Sequence, residues 1–247
     1  INPEVSGALW ASTGGICDPF QVTIAAAENA VMNGVTILLE TAFEDFIMEG
    51  KRIIGIKTNR GDFLSRWVIN SAGLYSDEVM HKAGIRPEFK ITPRKGEYFI
   101  FDRAEITIDN VLFPVPSAKG KGILVTTTLH ENTIIGPNAN EIEDKEDTST
   151  TKEGLDEVAA GALKLVPSLN LRYSIANFAG IRPTGNAPCK TPGINYKSDF
   201  IIEIPDEVEG FVNLGGIESP GLTSAPAIAA EVVDMLRDAG EKLVEKK

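Results

Sequence analysis

The sequence predicts a mixed α/β (α+β) fold in two parts, and three observations carry that reading. At 67–83 and 210–237, a short apolar run meets a glycine and then a helical pattern, as in the parallel strands of a layered unit. Between Val35 and Arg66, strand-like segments are joined by tight turns, which reads as a β-meander. From Lys90 onward the strands lengthen and no helix separates them, which reads as a mainly antiparallel sheet. The layered part is placed at 1–86 and 205–240, and the sheet part at 87–204.

The elements follow in order. Residues 8–19 form a turn-rich lead-in. Asp18 followed by Pro19 opens a helix, one as N-cap and the other at the first helical position. That helix runs from Phe20 to Asn33 with Val22, Ala25, Ala26, Asn29 and Ala30 on one narrow face, and Gly34 ends it. Strands are expected at Val35–Glu40, Phe43–Met48, Arg52–Thr58 and from Phe63 to Arg66, then at Trp67–Ala72. Leu74–Ala83 reads as a short helix closed by Gly84. The second part contributes KITPRKGEYFIFD, VLFPVP, GILVTTT and NTIIGPN as strands, followed by a mobile acidic loop at 140–152. Thr150 and Glu153 have capping-box spacing and open a helix that runs to Val166. Ser174–Pro183 returns as a strand, Asn186–Ser198 is a proline- and glycine-rich loop, and Phe200–Ile204 is a last strand before the 210–237 unit.

Composition removes several function classes. The chain has 247 residues, a 43% hydrophobic fraction and a net charge of −11, which argues against a nucleic-acid partner. Two cysteines, Cys17 and Cys189, make neither a disulfide framework nor a metal cluster, and they fit a reducing cytoplasm. No metal site is read. No apolar run is long enough to span a bilayer, while peripheral membrane attachment stays open. Both ends look cut: Ile1 begins inside a loop-like INPEVSG, and 241–247 is a charged tail without a closing element.

The stretch GFVNLGGIESPGLTSAPAIAAEVVDMLR, from Gly210 to Arg237, concentrates the chemistry. It reads as a strand at 210–214, a glycine-rich turn at 215–222 and a helix from Thr223. Amides at a helix start lack partners inside the helix, and the dipole adds partial positive charge there. Glycines let a ligand come close to them, so the unit is suited to an anion. The string GGIESPGLTSAPAIA resembles the C-terminal flavin loop of the D-amino-acid-oxidase-like FAD oxidoreductases, within them the anaerobic-type glycerol-3-phosphate dehydrogenase and L-2-hydroxyglutarate oxidase branches. TGGICDPF with its alanine-rich helix, VINSAG at 68–73 and FAGIRP at 178–183 extend the resemblance over nearly the whole chain.

The resemblance implies a partial FAD-binding, Rossmann-like layer with its β-meander, and a substrate-binding sheet domain. It implies FAD contacts at Phe43, Ala72, Gly73, Gly216, Ser219, Pro220, Gly221, Leu222 and Thr223. It places the helix start against the flavin edge that gains negative charge on reduction. Arg182 would hold the anionic end of a small hydroxy substrate, since its planar fork suits carboxylate or phosphate. Lys95 would raise local positive potential and Tyr98 would donate a hydrogen bond; these three are the catalytic candidates. Ser219, Thr126 and Thr127 are candidate cavity-lining groups. His81 reads as a surface residue and His130 as part of a hairpin turn, so no base for the hydroxyl proton is assigned. The electron acceptor is not named by any motif.

One departure from the family matters. No G-x-G-x-x-G follows a first strand, and Gly14–Gly15 has neither the strand nor the spacing. The reading is therefore the middle and rear of an enzyme that oxidises glycerol 3-phosphate at FAD, expected to be inactive and to retain little FAD as this chain alone. The rivals are an L-2-hydroxyglutarate oxidase-like enzyme and a non-catalytic anion-binding domain that keeps the fold.

Overall fold

The computed structural model describes residues 1–104, 106–116, 121–187 and 199–244. Most of the expected 186–198 loop, with Cys189, and the end of the charged tail lie outside the described residues. In chain order the elements are α1 (Pro19–Met32), β1 (Phe43–Glu49), β2 (Arg52–Thr58), β3 (Gly61–Leu64), β4 (Val68–Asn70), a 3-10 turn at Gly73–Tyr75 and α2 (Ser76–Lys82). Then come β5 (Ile91–Phe101), β6 (Leu124–Thr127), β7 (Thr133–Gly136), β8 (Asn140–Glu141), α3 (Lys152–Leu165) and a second 3-10 turn at Leu171–Tyr173. β9 (Ser174–Gly185), β10 (Ile201–Glu203), β11 (Phe211–Gly215) and α4 (Gly221–Asp238) complete the chain. No helix among the described residues is long and apolar enough to cross a membrane.

The mixed α/β class holds, and local chemistry accounts for several boundaries. Asp18 caps α1 by accepting from the amides of Phe20 and Gln21 at 2.9 and 3.1 Å. Two expected strands do not form. Val35–Glu40 is β-branched and apolar, yet it has no ladder partner among the described residues, and Val35, Leu38 and Leu39 are exposed. In VLFPVP, only Leu112 forms a bridge, to Val125, because two prolines remove backbone donors. The start of α3 also shifts by one residue: Thr151, not Thr150, is the cap and accepts from the Gly154 amide at 3.0 Å. The acidic 140–152 segment, expected to be mobile, is tied down. It contributes β8 to the sheet, and Asp147 and Thr151 bond to side chains of β5. The narrow face of α1 is not buried; every residue of that helix is exposed or half-buried, and Phe20 and Met32 are the most open of its large apolar side chains.

Chain contacts divide the molecule into two units, 1–37 with 94–181, and 38–93 with 182–247. In the first, β5 is the central strand of an antiparallel sheet. β7 and β8 pair along it, β6 lies outside β7, and β9 also pairs with β5. α3 and its C-cap residue cover this sheet with Val158, Ala162 and Val166 against Phe101, Val125 and Ile135, all fully buried. Its apolar stripe at helical spacing is what allows this packing.

In the second unit, β1, β2 and β3 form the meander that the turns at Gly50 and Gly61 close. A separate three-stranded sheet has the order β10-β11-β4. β11 and β4 run parallel, with Phe211 opposite Val68 and Asn213 opposite Asn70. The core joins Phe46, Ile53, Met80, Phe89, Ile91 and Phe211. Gly210 sits where the meander meets this sheet. Its φ is +75°, and a Cβ there would lie 2.7 Å from the Ile53 carbonyl oxygen, so only glycine fits.

Candidate functional site

The parallel strands β4 and β11 end at one edge of the second unit's small sheet, the place where open α/β sheets bind ligands. β11 leads through Gly216, at φ +63°, into the 216–220 turn, and α4 begins at Gly221. The helix therefore starts two residues earlier than its apolar spacing suggests, with Gly221 and Leu222 in its first turn. Pro220 occupies the cap position and supplies no side-chain acceptor. The first-turn amide of Ser224 bonds to the Pro220 carbonyl, and that of Gly221 to the Glu218 carbonyl. The amides of Leu222 and Thr223 have no partner among the described residues, and both residues are exposed.

Strand β9 ends beside this turn. Thr184 Oγ1 and Glu218 Oε2 are hydrogen-bonded at 3.0 Å. The backbones of Gly185 and Gly216 pack so closely that a Cβ on either would meet the other at 3.1 Å. Arg182 lies two residues before Thr184 in the same strand and is half-buried. Side chains two apart in a strand share a face, so Arg182 and Thr184 project from the same side of β9.

At the end of β4, Gly73 has φ +57° and open space where a side chain would stand, and Ala72 is exposed. The turn between them is fixed from below. The side-chain amide of Asn70 accepts from the Ala72 amide at 3.1 Å and donates to the Ser76 carbonyl at 2.9 Å. Phe43 packs on the core, its ring centroid 4.8 Å from that of Phe46. Ser219 and Pro220 are exposed in the turn.

The remaining candidates lie in the first unit. Lys95 and Tyr98 are three residues apart on β5, so they point to opposite faces of the sheet. Lys95 is 4% exposed and donates to Asp147 at 2.8 Å. That bond, with the Ser149 hydroxyl and amide, holds the Asp147 carboxyl at about 2. Tyr98 is half-buried and its ring stacks on Phe178 at 4.8 Å. Thr126 and Thr127 are half-buried and donate to neighbouring backbone carbonyls. His130 is exposed in the 128–132 turn, and His81 is exposed on α2. No group of three or more His, Cys, Asp or Glu side chains among the described residues is placed to hold a metal ion.

Two groups that sequence reasoning missed stand out. Glu97 is 1% exposed and binds the start of α3, accepting from the Thr151 amide and hydroxyl and from the Asn138 side chain. Asn70 and Asn213 are buried register partners joined at 2.8 Å. A signal for the second pair was present: the strands read V-I-N and F-V-N-L-G, each with an asparagine in an otherwise apolar run. A groove of about 630 Å³ lies elsewhere on the second unit, lined by Ile54, Leu64, Trp67 and Leu236 among others. Its charged groups, Arg66 and Glu241, pair with each other at 2.6 Å.

These features fit a flavin. Positive-φ glycines follow one strand, at Gly73 with open space beside it, and begin the turn after the other, at Gly216, and a helix start left without a side-chain cap has exposed residues in its first turn. The sequence comparisons agree. A glycerol 3-phosphate dehydrogenase from Caloramator mitchellensis is 41% identical over 253 aligned positions, covering 100% of this chain and 49% of the relative. A glycerol 3-phosphate oxidase from Mycoplasma pneumoniae is 32% identical over 96% of this chain and 60% of its own length. The solved structure of dithionite-reduced L-alpha-glycerophosphate oxidase from Mycoplasma pneumoniae with FAD bound superimposes with a TM-score of 0.76 at 33% identity. That match covers 89% of this chain and 55% of the solved one. The chain thus spans about half to three-fifths of the length of these relatives. The family profile described as DAO, FAD dependent oxidoreductase, matches residues 1–235, and the chain belongs to that family.

Proposed function

We propose that the whole protein oxidises glycerol 3-phosphate, or a close anionic hydroxy compound, at an FAD held in part by this chain. The observation that carries the reading is local to the second unit. The uncapped start of α4 and the Arg182 end of β9 are locked together through Thr184–Glu218 and the Gly185–Gly216 contact. A dipole that favours electron-rich groups and a cation that cannot be neutralised are thereby fixed near each other. The names of the relatives at 41% and 32% identity support this substrate class.

When bound, FAD would supply the acceptor for the hydride leaving the substrate carbon. Ala72, Gly73 and the 216–223 segment would hold the cofactor, with the first-turn amides of α4 stabilising negative charge at its edge. Arg182 would fix the substrate anion by a two-pronged contact and so orient the carbon–hydrogen bond. Lys95 would act only through Asp147, which neutralises it. Tyr98, on the other face of β5, is the candidate hydrogen-bond donor. In this reading residues 1–86 and 205–240 serve the flavin, and 87–204 serve the substrate.

The test is Arg182→Met and Arg182→Lys in the protein expressed from its full reading frame. With glycerol 3-phosphate, the methionine variant should lose about 2–5 kcal/mol of transition-state stabilisation in kcat/KM. The lysine variant should recover part of it, because it keeps the charge and loses the fork. Flavin content and Tm should match the parent. Loss of folding together with activity would make Arg182 a structural ion-pair member. Turnover of L-2-hydroxyglutarate in place of glycerol 3-phosphate would overturn the substrate assignment.

A further inference from the structure

Three side chains form a polar rung across the small sheet of the second unit. Glu203 on β10, Asn213 on β11 and Asn70 on β4 are successive register partners. Asn213 Nδ2 donates to Glu203 Oε1 at 3.4 Å, and Asn70 Nδ2 donates to Asn213 Oδ1 at 2.8 Å. Asn213 is 0% exposed and Asn70 4%. The amide orientation of Asn70 is fixed by its neighbours. The Ala72 N–H can only donate and the Ser76 carbonyl can only accept, so Oδ1 faces the first and Nδ2 the second. Its second Nδ2 hydrogen is then left for Asn213.

A rung of this kind is not what the fold alone asks for. Neighbouring positions of β11, Phe211 and Val212, are apolar and fully buried, and an apolar pair at 70 and 213 would continue that pattern. Buried amides stabilise little unless every group is satisfied, and here the satisfaction is directed. One end of the rung closes the 71–76 loop; the other is anchored on β10. In the middle, Asn213 stands two residues before Gly215 and three before the positive-φ Gly216.

We propose that Asn70 and Asn213 are positioning residues that set the 71–75 turn and the 216–220 turn at a fixed separation for the flavin edge. The inference rests on the FAD reading above and adds the device that aligns its two loops. Neither asparagine touches the cofactor; each acts through backbone that does.

The experiment uses the full reading frame, with FAD itself as the probe. Apo-protein is titrated with FAD by fluorescence, the flavin reduction potential is measured, and Tm is recorded for every variant. Asn70→Ser keeps a short acceptor for the Ala72 amide but cannot reach Asn213, so it should fold. Asn213→Ala removes the middle of the rung. Each should weaken FAD binding by on the order of tenfold and displace the potential, with apo Tm within a few degrees of the parent for Asn70→Ser. Because the rung acts as a unit, the double variant should be no weaker than the worse single. Folded Asn70→Ser with parental FAD affinity and potential would overturn the proposal. So would fully additive losses, or a loss that tracks only the unfolded fraction. A parent that binds no FAD would overturn the functional reading, and this inference with it; that outcome is read from the parent alone.

Discussion

The starts of α3 and α4 present the same physical problem and solve it in opposite ways. Each helix begins with backbone amides that have no partner inside the helix and with the positive end of a dipole. At α3 the chain fills the position itself. Thr151 caps the Gly154 amide, and the buried carboxylate of Glu97 reaches in from β5 to take the Thr151 amide and hydroxyl. Gly154 is there because a Cβ would occupy the space of that carboxylate. At α4 the cap is a proline without a side-chain acceptor, the approach is glycine-rich, and the neighbouring first-turn residues are exposed. A filled helix start is architecture, while one left open at the end of parallel strands is available to an electron-rich ligand.

The largest effect should come from emptying the filled end. Glu97→Ala removes the side-chain acceptor of the Thr151 amide and hydroxyl and one of the acceptors of the buried Asn138 side chain, which keeps the Gly154 carbonyl. Losing hydrogen bonds to a buried carboxylate costs about 1–3 kcal/mol, so the unfolding free energy should fall by about 2 kcal/mol. Urea denaturation at pH 7 measures it. A change below about 1 kcal/mol would mean that the carboxylate does not secure α3, and the contrast would break.

Filling the open end should do the reverse. Thr223→Asp places a carboxylate in the first turn of α4, where the dipole favours it. Unfolding of the apo-protein should become harder by about 0.3–1 kcal/mol. FAD affinity should fall by about fivefold, because the new charge competes with the electron-rich edge. Stabilisation without weakened FAD binding would show that the flavin does not use this helix start.

How much of this was legible depended on whether the cause is local. Asp18–Pro19 and the Thr–x–x–Glu pattern fix helix starts through the next few amides, so both helices could be placed, one of them with its cap off by a single residue. The turn and helix after β11 could be read because glycines at 215, 216 and 221 permit only a few backbone paths. The Val35–Glu40 strand could not be tested in this way, since a strand needs a neighbour and the string says nothing about whether one is present. Glu97 looked like one more charged residue in K-G-E-Y. Its role depends on Asn138 and Thr151, 41 and 54 residues away, and no local pattern shows that distance being closed. The faces of Lys95 and Tyr98 were readable from the strand period alone; a spacing of three positions places the two on opposite sides.

The smallest expected effect concerns the pair next to the filled end. Asp147 holds buried Lys95, and the carboxyl is lowered from 3.8 to about 2, first by the Lys95 hydrogen bond and then by those from Ser149. A carboxyl lowered in the folded state binds its proton more readily when unfolded. Its contribution to stability is therefore fully present above the unfolded value near 3.8 and is lost as pH falls through about 2. Asp147→Asn removes that titration but keeps an oxygen that can accept from Lys95. Between pH 4 and pH 2 the stability of the parent should fall more steeply than that of the variant, so the gap between them narrows. Other carboxylates titrate in the same range, among them Glu241, which Arg66 holds low; they are common to both proteins and cancel in the difference. Denaturant midpoints taken at half-unit steps of pH decide the matter. Parallel curves over that window would show that Asp147 is not what keeps the 140–151 segment on β5, and that Lys95 could turn its charge elsewhere.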